Sequence, residues 1–436
     1  MRFSIRKQII FLLLSLTVVV WGAEAPQTEM RLVNLKHLNH LYERITVRGQ
    51  EMAIVHIYSE YPDYAWVDAK GEGIGCVDDA ARAAVVYLRH FEHTGEKSSL
   101  EHARRLIDFC RFMQTSDGQF YNFIYEDHSI NRTGKTSFKS FGWWAARGLW
   151  AIGEGYRVFQ KIDPVYAEKL QGHLKKSFGQ IENLLKDYPQ TADAHGFKVP
   201  KWLMYHSAAD ATSELMLGLA AYGEACGDKK VLGYLNKFAE GLVQMQIGDK
   251  NTFPFGAHLS WQNVWHGWGN AQTQALGRVA ALLKSKEIKE SAMLEVDSFY
   301  PFLLERGYPY QMTFAKNDSF RITEITPFSQ IAYALRPAIA GALNLFNVTG
   351  NERYAQFAGQ LATWFFGDNP AHRQMYDPQT GRCFDGIVSE SEINQNSGAE
   401  STIEALYSLL DVEANDIAMR KLKTYLTSHS FSRRLF

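Results

Sequence analysis

Asp78 and Asp79 stand side by side at the end of Glu72-Gly-Ile-Gly-Cys-Val-Asp78-Asp79, directly before the apolar run Ala80–Tyr87. Two carboxylates at a helix start can act as cap and dipole partner. Crowded together, they also raise one another's pKa, which makes a general acid and a general base from one residue type. A third carboxylate, Glu400, directly precedes the apolar run Ser401–Leu410, with Asn394 and Asn396 shortly before it. Turn formation accounts for the neighbouring Asp368-Asn369-Pro370, Asp377-Pro378 and Asp385-Gly386 steps. It does not account for Glu400. Asp78 or Asp79 as water activator or cation stabiliser, with Glu400 as general acid, is the pairing that glycosidic hydrolysis requires.

Other polar and aromatic residues gather in loops of the same kind. Tyr125-Glu126-Asp127-His128 precedes Phe138–Trp150, in which helical spacing sets Trp143 and Trp144 about 100° apart, so at most one faces a cleft squarely. The segment Trp261, Trp265-His266-Gly-Trp268-Gly-Asn270 crowds three tryptophans and a histidine, as a sugar-stacking wall with a substrate-facing His266 would. A buried His bonded to a carbonyl is the plain alternative for that residue. Glu72, Asp127, Trp143, Trp144, His206, Trp265, His266, Asn270, Arg321, Glu324, Asp385, Asn394 and Asn396 are therefore the expected substrate contacts. Tyr205-His206, His266 with Asn270, and Arg321 with Glu324 could instead supply the base and neutralising groups of a polysaccharide lyase. A non-catalytic glycan-binding module would keep the aromatics and have no need of Asp78, Asp79 and Glu400.

These loops recur. Six times, near 60–77, 117–137, 188–205, 249–265, 313–327 and 367–397, a long aromatic and polar loop leads into an apolar helix. A short turn and a more charged helix follow each time. The apolar members, such as Ala145–Gly153 and Leu215–Tyr222, are small and apolar nearly all round, as a helix buried on both sides must be. The second members, such as Glu101–Arg111, Tyr166–Lys186 and Lys229–Gln246, carry one polar stripe that suits an outer ring facing water. Gly95, Gly227 and Gly350 fall where helix ends take a left-handed residue. Short turns force each pair to lie antiparallel, so all six long loops collect at one end. The pattern predicts an all-α (α/α)6 toroid of six hairpins, with the first and sixth adjacent in the closed ring. Residues 30–59 are expected to add a helix and strand without a definite place.

Lys+Arg 46 against Asp+Glu 47 leaves no basic field, which argues against nucleic acid as a partner, and 13% aromatic residues suit a carbohydrate one. Arg2, Arg6 and Lys7 precede the apolar run Ile9–Trp21, too short for a comfortable membrane span. With Ala23-Glu24-Ala25 as cleavage motif, residues 1–25 read as an export signal and 26–436 as a single domain, periplasmic or secreted, without stable membrane insertion. Cys76, Cys110, Cys226 and Cys383 follow no metal-site spacing, and Cys110 and Cys226 read as buried free thiols. No metal or cofactor is expected, although calcium in the acidic loop 377–392 is conceivable.

The helical layout and Gly367-Asp368-Asn369-Pro370 resemble the six-hairpin glycosidase superfamily, including the family-nine cellulases, which carry a G-x-N-P turn and a catalytic Glu near the C-terminus. Val77-Asp78-Asp79-Ala80-Ala81-Arg82-Ala83 and Tyr376–Thr402 look closer to uncharacterised six-hairpin domains appended to some bacterial glycosyltransferases. Those have patterns like T-D-D-N-A-R-A-L and Y-D-P-x-T-G…D-G…N-x-N-x-G-A-E-S-T. The chain departs from them at Ala80, where Asn is usual, and around Phe141–Trp144, where acidic residues are commoner. The resemblance implies a glycoside hydrolase acting on an oligo- or polysaccharide.

Overall fold

Six times a nearly all-apolar helix ends in a turn of a few residues and doubles back as an amphipathic one. The computed structural model describes residues 31–429, and the export-signal segment 1–25 lies outside them. A short helix α1 (Lys36–Leu41) and the hairpin Tyr42–Val47/Gln50–Val55 come first. The hairpin packs on the first outer helix, which places the segment the sequence left unassigned. The pairs then follow in order: α2 (Val77–Thr94) with α3 (Lys97–Met113), then α4 (Trp143–Phe159) with α5 (Pro164–Lys176) and its continuation α6 (Phe178–Leu185). Next come α7 (Ala209–Cys226) with α8 (Lys229–Gln244), and α9 (Gln272–Leu283) with α10 (Lys286–Leu294), which runs through a π turn into α11 (Tyr300–Glu305). Finally α12 (Ala332–Thr349) pairs with α13 (Glu352–Leu361), and α14 (Ala399–Glu413) with α15 (Asp416–Ser428).

The first members touch in sequence, α2 to α4 to α7 to α9 to α12 to α14, and α14 returns to α2. That closes the inner ring of the (α/α)6 toroid. Burial follows the sequence pattern. In α7 every residue from Ala209 to Gly223 is buried, whereas α8 buries one stripe, including Val231, Leu235, Phe238 and Leu242. Each such fully buried apolar side chain contributes about 1.5–3 kcal/mol. Gly95, Gly227 and Gly350 cap their helices in the left-handed conformation at φ 75°, 65° and 69°. Cys226, the last residue of α7, is exposed rather than buried, because the helix ends there at the surface. All four cysteines are free thiols.

Short strand pairings tie the long loops to one another at one end of the barrel. Gly75–Cys76 pairs with Phe123–Ile124, joining the first and second loops. Val264–His266, Gln311–Lys316 and Phe320–Thr326 form one small sheet across the fourth and fifth, and Gln330 bridges to Ile387 in the sixth. Among the described residues no helix is long and apolar enough to cross a membrane, and no group of three or more His, Cys, Asp or Glu side chains could hold a metal.

Candidate active site

The loop end opens onto a cleft whose floor is built from the first turns of α2 and α14. Asp78, Asp79 and Glu400 all line it, at helix N-termini where backbone N–H groups favour negative charge. The three are not equivalent. Asp79 is 6% exposed at its side chain, and Arg82 Nη2 donates to its Oδ1 at 2.8 Å. The Cys76 thiol donates to its other oxygen at 3.2 Å. Burial raises the Asp79 pKa; the Arg82 guanidinium opposes that rise and Asp78 adds to it. Asp78 keeps 19% of its side chain exposed, with Arg147 Nη1 3.0 Å from Oδ1 and Asn122 Nδ2 donating to Oδ2 at 3.0 Å. Glu400 is the most open at 44%, with Arg82 3.2 Å away on its inner side. A reacting sugar can therefore touch Asp78 and Glu400, while Asp79 is turned into the barrel.

Two lobes extend from these carboxylates and share Glu72, Asp78, Arg147, Tyr333 and Glu400 as common wall. One, of about 280 Å³, is the more polar of the two and adds Tyr58, Asp385 and Ser401. Burial raises the Asp385 pKa, against the hydrogen bonds donated to its Oδ1 by Ser401 Oγ (2.5 Å) and the Gly398 amide (2.8 Å). The other lobe, of about 480 Å³, is aromatic, with Trp143, Trp144, Trp268 and Tyr310. Both members of the tryptophan pair border this lobe, Trp143 half-buried and Trp144 only 8% exposed and packed edge-on against Phe138. The Trp144 indole is anchored by donating to the Phe120 carbonyl at 2.8 Å. Glu72, Asp78, Asp79, Trp143, Trp144, Asp385 and Glu400 are thus brought together.

The remaining expected contacts are not on the cleft wall. Trp265 is 1% exposed and packs edge-on against Phe299, because its strand turns that face into the core. His266 is buried beneath Trp268, with ring centroids 3.7 Å apart and planes 6° apart. Its nitrogens face Asp210 Oδ2 at 2.9 Å and the Trp268 carbonyl at 2.6 Å, so it supports the aromatic lobe from behind. Asn270 is buried and donates to Ser260 Oγ at 3.3 Å. His206 points to the Lys201 carbonyl, and Asp127 accepts from the Ser129 amide in an exposed turn. Arg321 and Glu324 lie exposed on the outer hairpin. Asn394 accepts from the Asn396 amide and Asn396 from the Tyr61 amide, holding the sixth loop against the first.

Sequence reasoning passed over the residues that hold the carboxylates. Arg82, Arg147 and Arg336 are at most 9% exposed at their side chains, as are their partners Glu214 and Glu404. Each is a charge set among buried small and apolar residues of an inner helix, such as Ala80–Ala84 around Arg82 and Ala145–Leu149 around Arg147, and that is the signal the sequence offers. Such a charge cannot stay unpaired. It must meet a partner across the ring.

The fold and this cleft define a carbohydrate-active enzyme of the six-hairpin superfamily. The chain belongs to glycosyl hydrolase family 9, whose profile matches residues 150–376. That match ends before Glu400 and begins after Asp78. Among solved structures the chain is similar to a sugar epimerase from a ruminal bacterium (14% identity, 83% of this chain and 92% of that one, TM-score 0.57). It is also similar to the cellobiose 2-epimerase from Bacillus thermoamylovorans B4167 (11%, 83% and 92%, TM-score 0.56) and to a D-mannose isomerase (15%, 82% and 90%, TM-score 0.55). At these identities the likeness is one of fold. No curated protein matches the chain.

Proposed function

We propose that this protein hydrolyses glycosidic bonds of an oligo- or polysaccharide, with Asp78 as the base that activates water and Glu400 as the acid that protonates the leaving oxygen. The single observation that carries the reading is that these two carboxylates, from adjacent inner helices, face the same cleft at the junction of its two lobes. Asp79, buried against Arg82, holds that arginine in place instead of meeting substrate. With Glu400 protonated as the acid, four carboxylates (Asp78, Asp79, Glu214, Glu404) face three guanidiniums (Arg82, Arg147, Arg336), a surplus of one negative charge. A negative surplus suits the cationic, oxocarbenium-like transition state of glycoside hydrolysis. Export, read from the basic-then-apolar N-terminus, belongs to the same proposal.

Other chemistries find less support. Epimerisation or isomerisation by proton abstraction next to a carbonyl wants a base with a pKa near neutrality, most often His. Among the described residues that line the two lobes there is no histidine. The groups a lyase would use are dispersed, with His266 sealed under Trp268 and Arg321 out on a hairpin. The test is a reducing-sugar assay with mass analysis of products, on the wild type and on Asp78→Asn and Glu400→Gln. Each variant is expected to lose about 10²–10⁴-fold in kcat, the usual contribution of an acid or base, and the wild-type products together to exceed the substrate by one water per bond cleaved. An unsaturated or isomeric product, or full activity in either variant, would overturn the proposal.

A further inference from the structure

Beneath the cleft floor the ion pairs do not stop at the two reacting carboxylates. Asp78 pairs with Arg147 at 3.0 Å, and Arg147 Nε donates to Glu214 at 2.9 Å. Glu214 is 3.3 Å from Arg336, whose Nε donates to Glu404 at 2.6 Å. Glu404 accepts from Arg82 at 2.9 Å, and Arg82 reaches Glu400 at 3.2 Å. A continuous chain of alternating charge therefore runs from Asp78 to Glu400 through the barrel axis. Every inner helix supplies a member: α2, α4, α7, α12 and α14 the charges, and α9 Gln274, which accepts from Arg336. Tyr333 lies at the hub, its ring 4.8, 5.4 and 5.3 Å from the guanidinium carbons of Arg82, Arg147 and Arg336. Its hydroxyl accepts from Arg147 at 2.8 Å and donates to Glu214.

We infer that Glu214, Arg336 and Glu404 are positioning residues that set the two reacting carboxylates relative to each other, an inference resting on the hydrolytic reading above. None of the three lines either lobe, and their side chains are 0–2% exposed. Glu214 is the branch point, because it binds the arginine that holds Asp78 and the arginine that leads to Glu404. Burial pushes its pKa up, but Arg147 and Arg336 outweigh this and keep it low. With Glu214 charged, Arg147 is shared between two carboxylates in a fixed geometry. Without that charge Arg147 and Arg336 lose their common anchor, and Asp78 loses its register against Glu400. The effect falls chiefly on the transition state, while Trp144, Trp268 and Tyr310 keep the stacking surface of the aromatic lobe.

Double-variant kinetics test this. Glu214→Gln keeps the size and removes the shared charge, and misplacing a reacting group by ~1 Å costs on the order of 10²-fold. We expect kcat to fall about 10–100-fold with KM within about threefold, the signature of an interaction made in the transition state. In an Asp78→Asn background the same change should cost less than about threefold, because residues acting through one another are not additive. Glu404→Gln should behave likewise against Glu400→Gln. Should Glu214→Gln not fold, as judged by circular dichroism, Tyr333→Phe removes only the hydroxyl between Arg147 and Glu214 and should show the same non-additivity with Asp78→Asn. Wild-type kcat in these variants, or additive losses in the double variants, would overturn the positioning role alone. An undiminished rate in Asp78→Asn would remove the hydrolytic reading and this role together.

Discussion

Replacing Gly153 with alanine should damage both the barrel and the reaction, because this glycine sets the closest approach of two inner helices. A Cβ at Gly153 would lie 2.7 Å from the carbonyl carbon of Gly218 and 2.9 Å from its Cα. Gly218 in turn would meet the Leu149 carbonyl carbon and the Trp150 Cα, both at 2.7 Å. Carbon atoms rest roughly 3.5–4.0 Å apart, and the Gly218 and Leu149 carbonyl oxygens lie closer still, so α4 and α7 must part by at least about 0.8 Å. The obstacle is backbone, and no rotamer change relieves it. Overpacking of this kind costs about 1–3 kcal/mol, and a backbone clash belongs at the upper end. At about 2 °C per kcal/mol for a chain of this size, the midpoint of thermal unfolding should fall by roughly 6 °C. The same helices carry the pair Arg147 Nε–Glu214 Oε2 at 2.9 Å. Parting by 0.8 Å stretches it to about 3.7 Å, beyond hydrogen-bond range, so kcat should fall at least about tenfold. Scanning calorimetry and steady-state rates measure the two effects. Gly172→Ala and Gly233→Ala are the controls, since an added Cβ there meets nothing within 4 Å and the helix gains about 1 kcal/mol. A Gly153→Ala protein as stable and as active as these controls would refute the argument.

Acid stability should depend on His37, which hydrogen-bonds the Ser397 carbonyl at 2.8 Å and is lowered to a pKa of about 4 by burial, with Arg382 and His40 adding and that bond opposing. A depressed histidine takes its proton in the unfolded chain first, so stability is lost as pH falls from 6.5 towards 4, by roughly 3 kcal/mol at 1.36 kcal/mol per unit. Urea unfolding at pH 7 and pH 4.5 should show that loss shrink in His37→Gln; an equal loss in both proteins would discard this account. Trp268→Ala should raise KM about 3–10-fold, from an aromatic contact of about 0.5–1.5 kcal/mol, with kcat unchanged. An unaltered KM would take Trp268 out of the binding surface.

The six hairpins were legible because they depend on local features. A turn of two to four residues forces antiparallel neighbours, and an all-round apolar helix such as Leu215–Tyr222 has only one place to go. Gly95, Gly227 and Gly350 marked their helix ends for an equally local reason, a left-handed backbone. The carboxylates Asp78, Asp79 and Glu400 could be read as a group because each opens an inner helix and so points to the loop end.

Their division of labour could not be read, because it depends on who stands opposite. Asp78 and Asp79 are adjacent in the chain, yet Arg82 draws one into the barrel while Arg147 and Asn122 leave the other at the cleft. Trp265 and Trp268 share a loop, but strand pairing turns the first into the core and His266 props the second towards the cleft. Periodicity along the chain decides which face of a helix is polar, and it decided the architecture here. Which charges meet across the ring, such as Arg82 with Glu400 and Glu404 more than three hundred residues away, is settled only when the sixth hairpin closes against the first. A buried charge gains its partner from tertiary closure, and nothing local in the sequence specifies it.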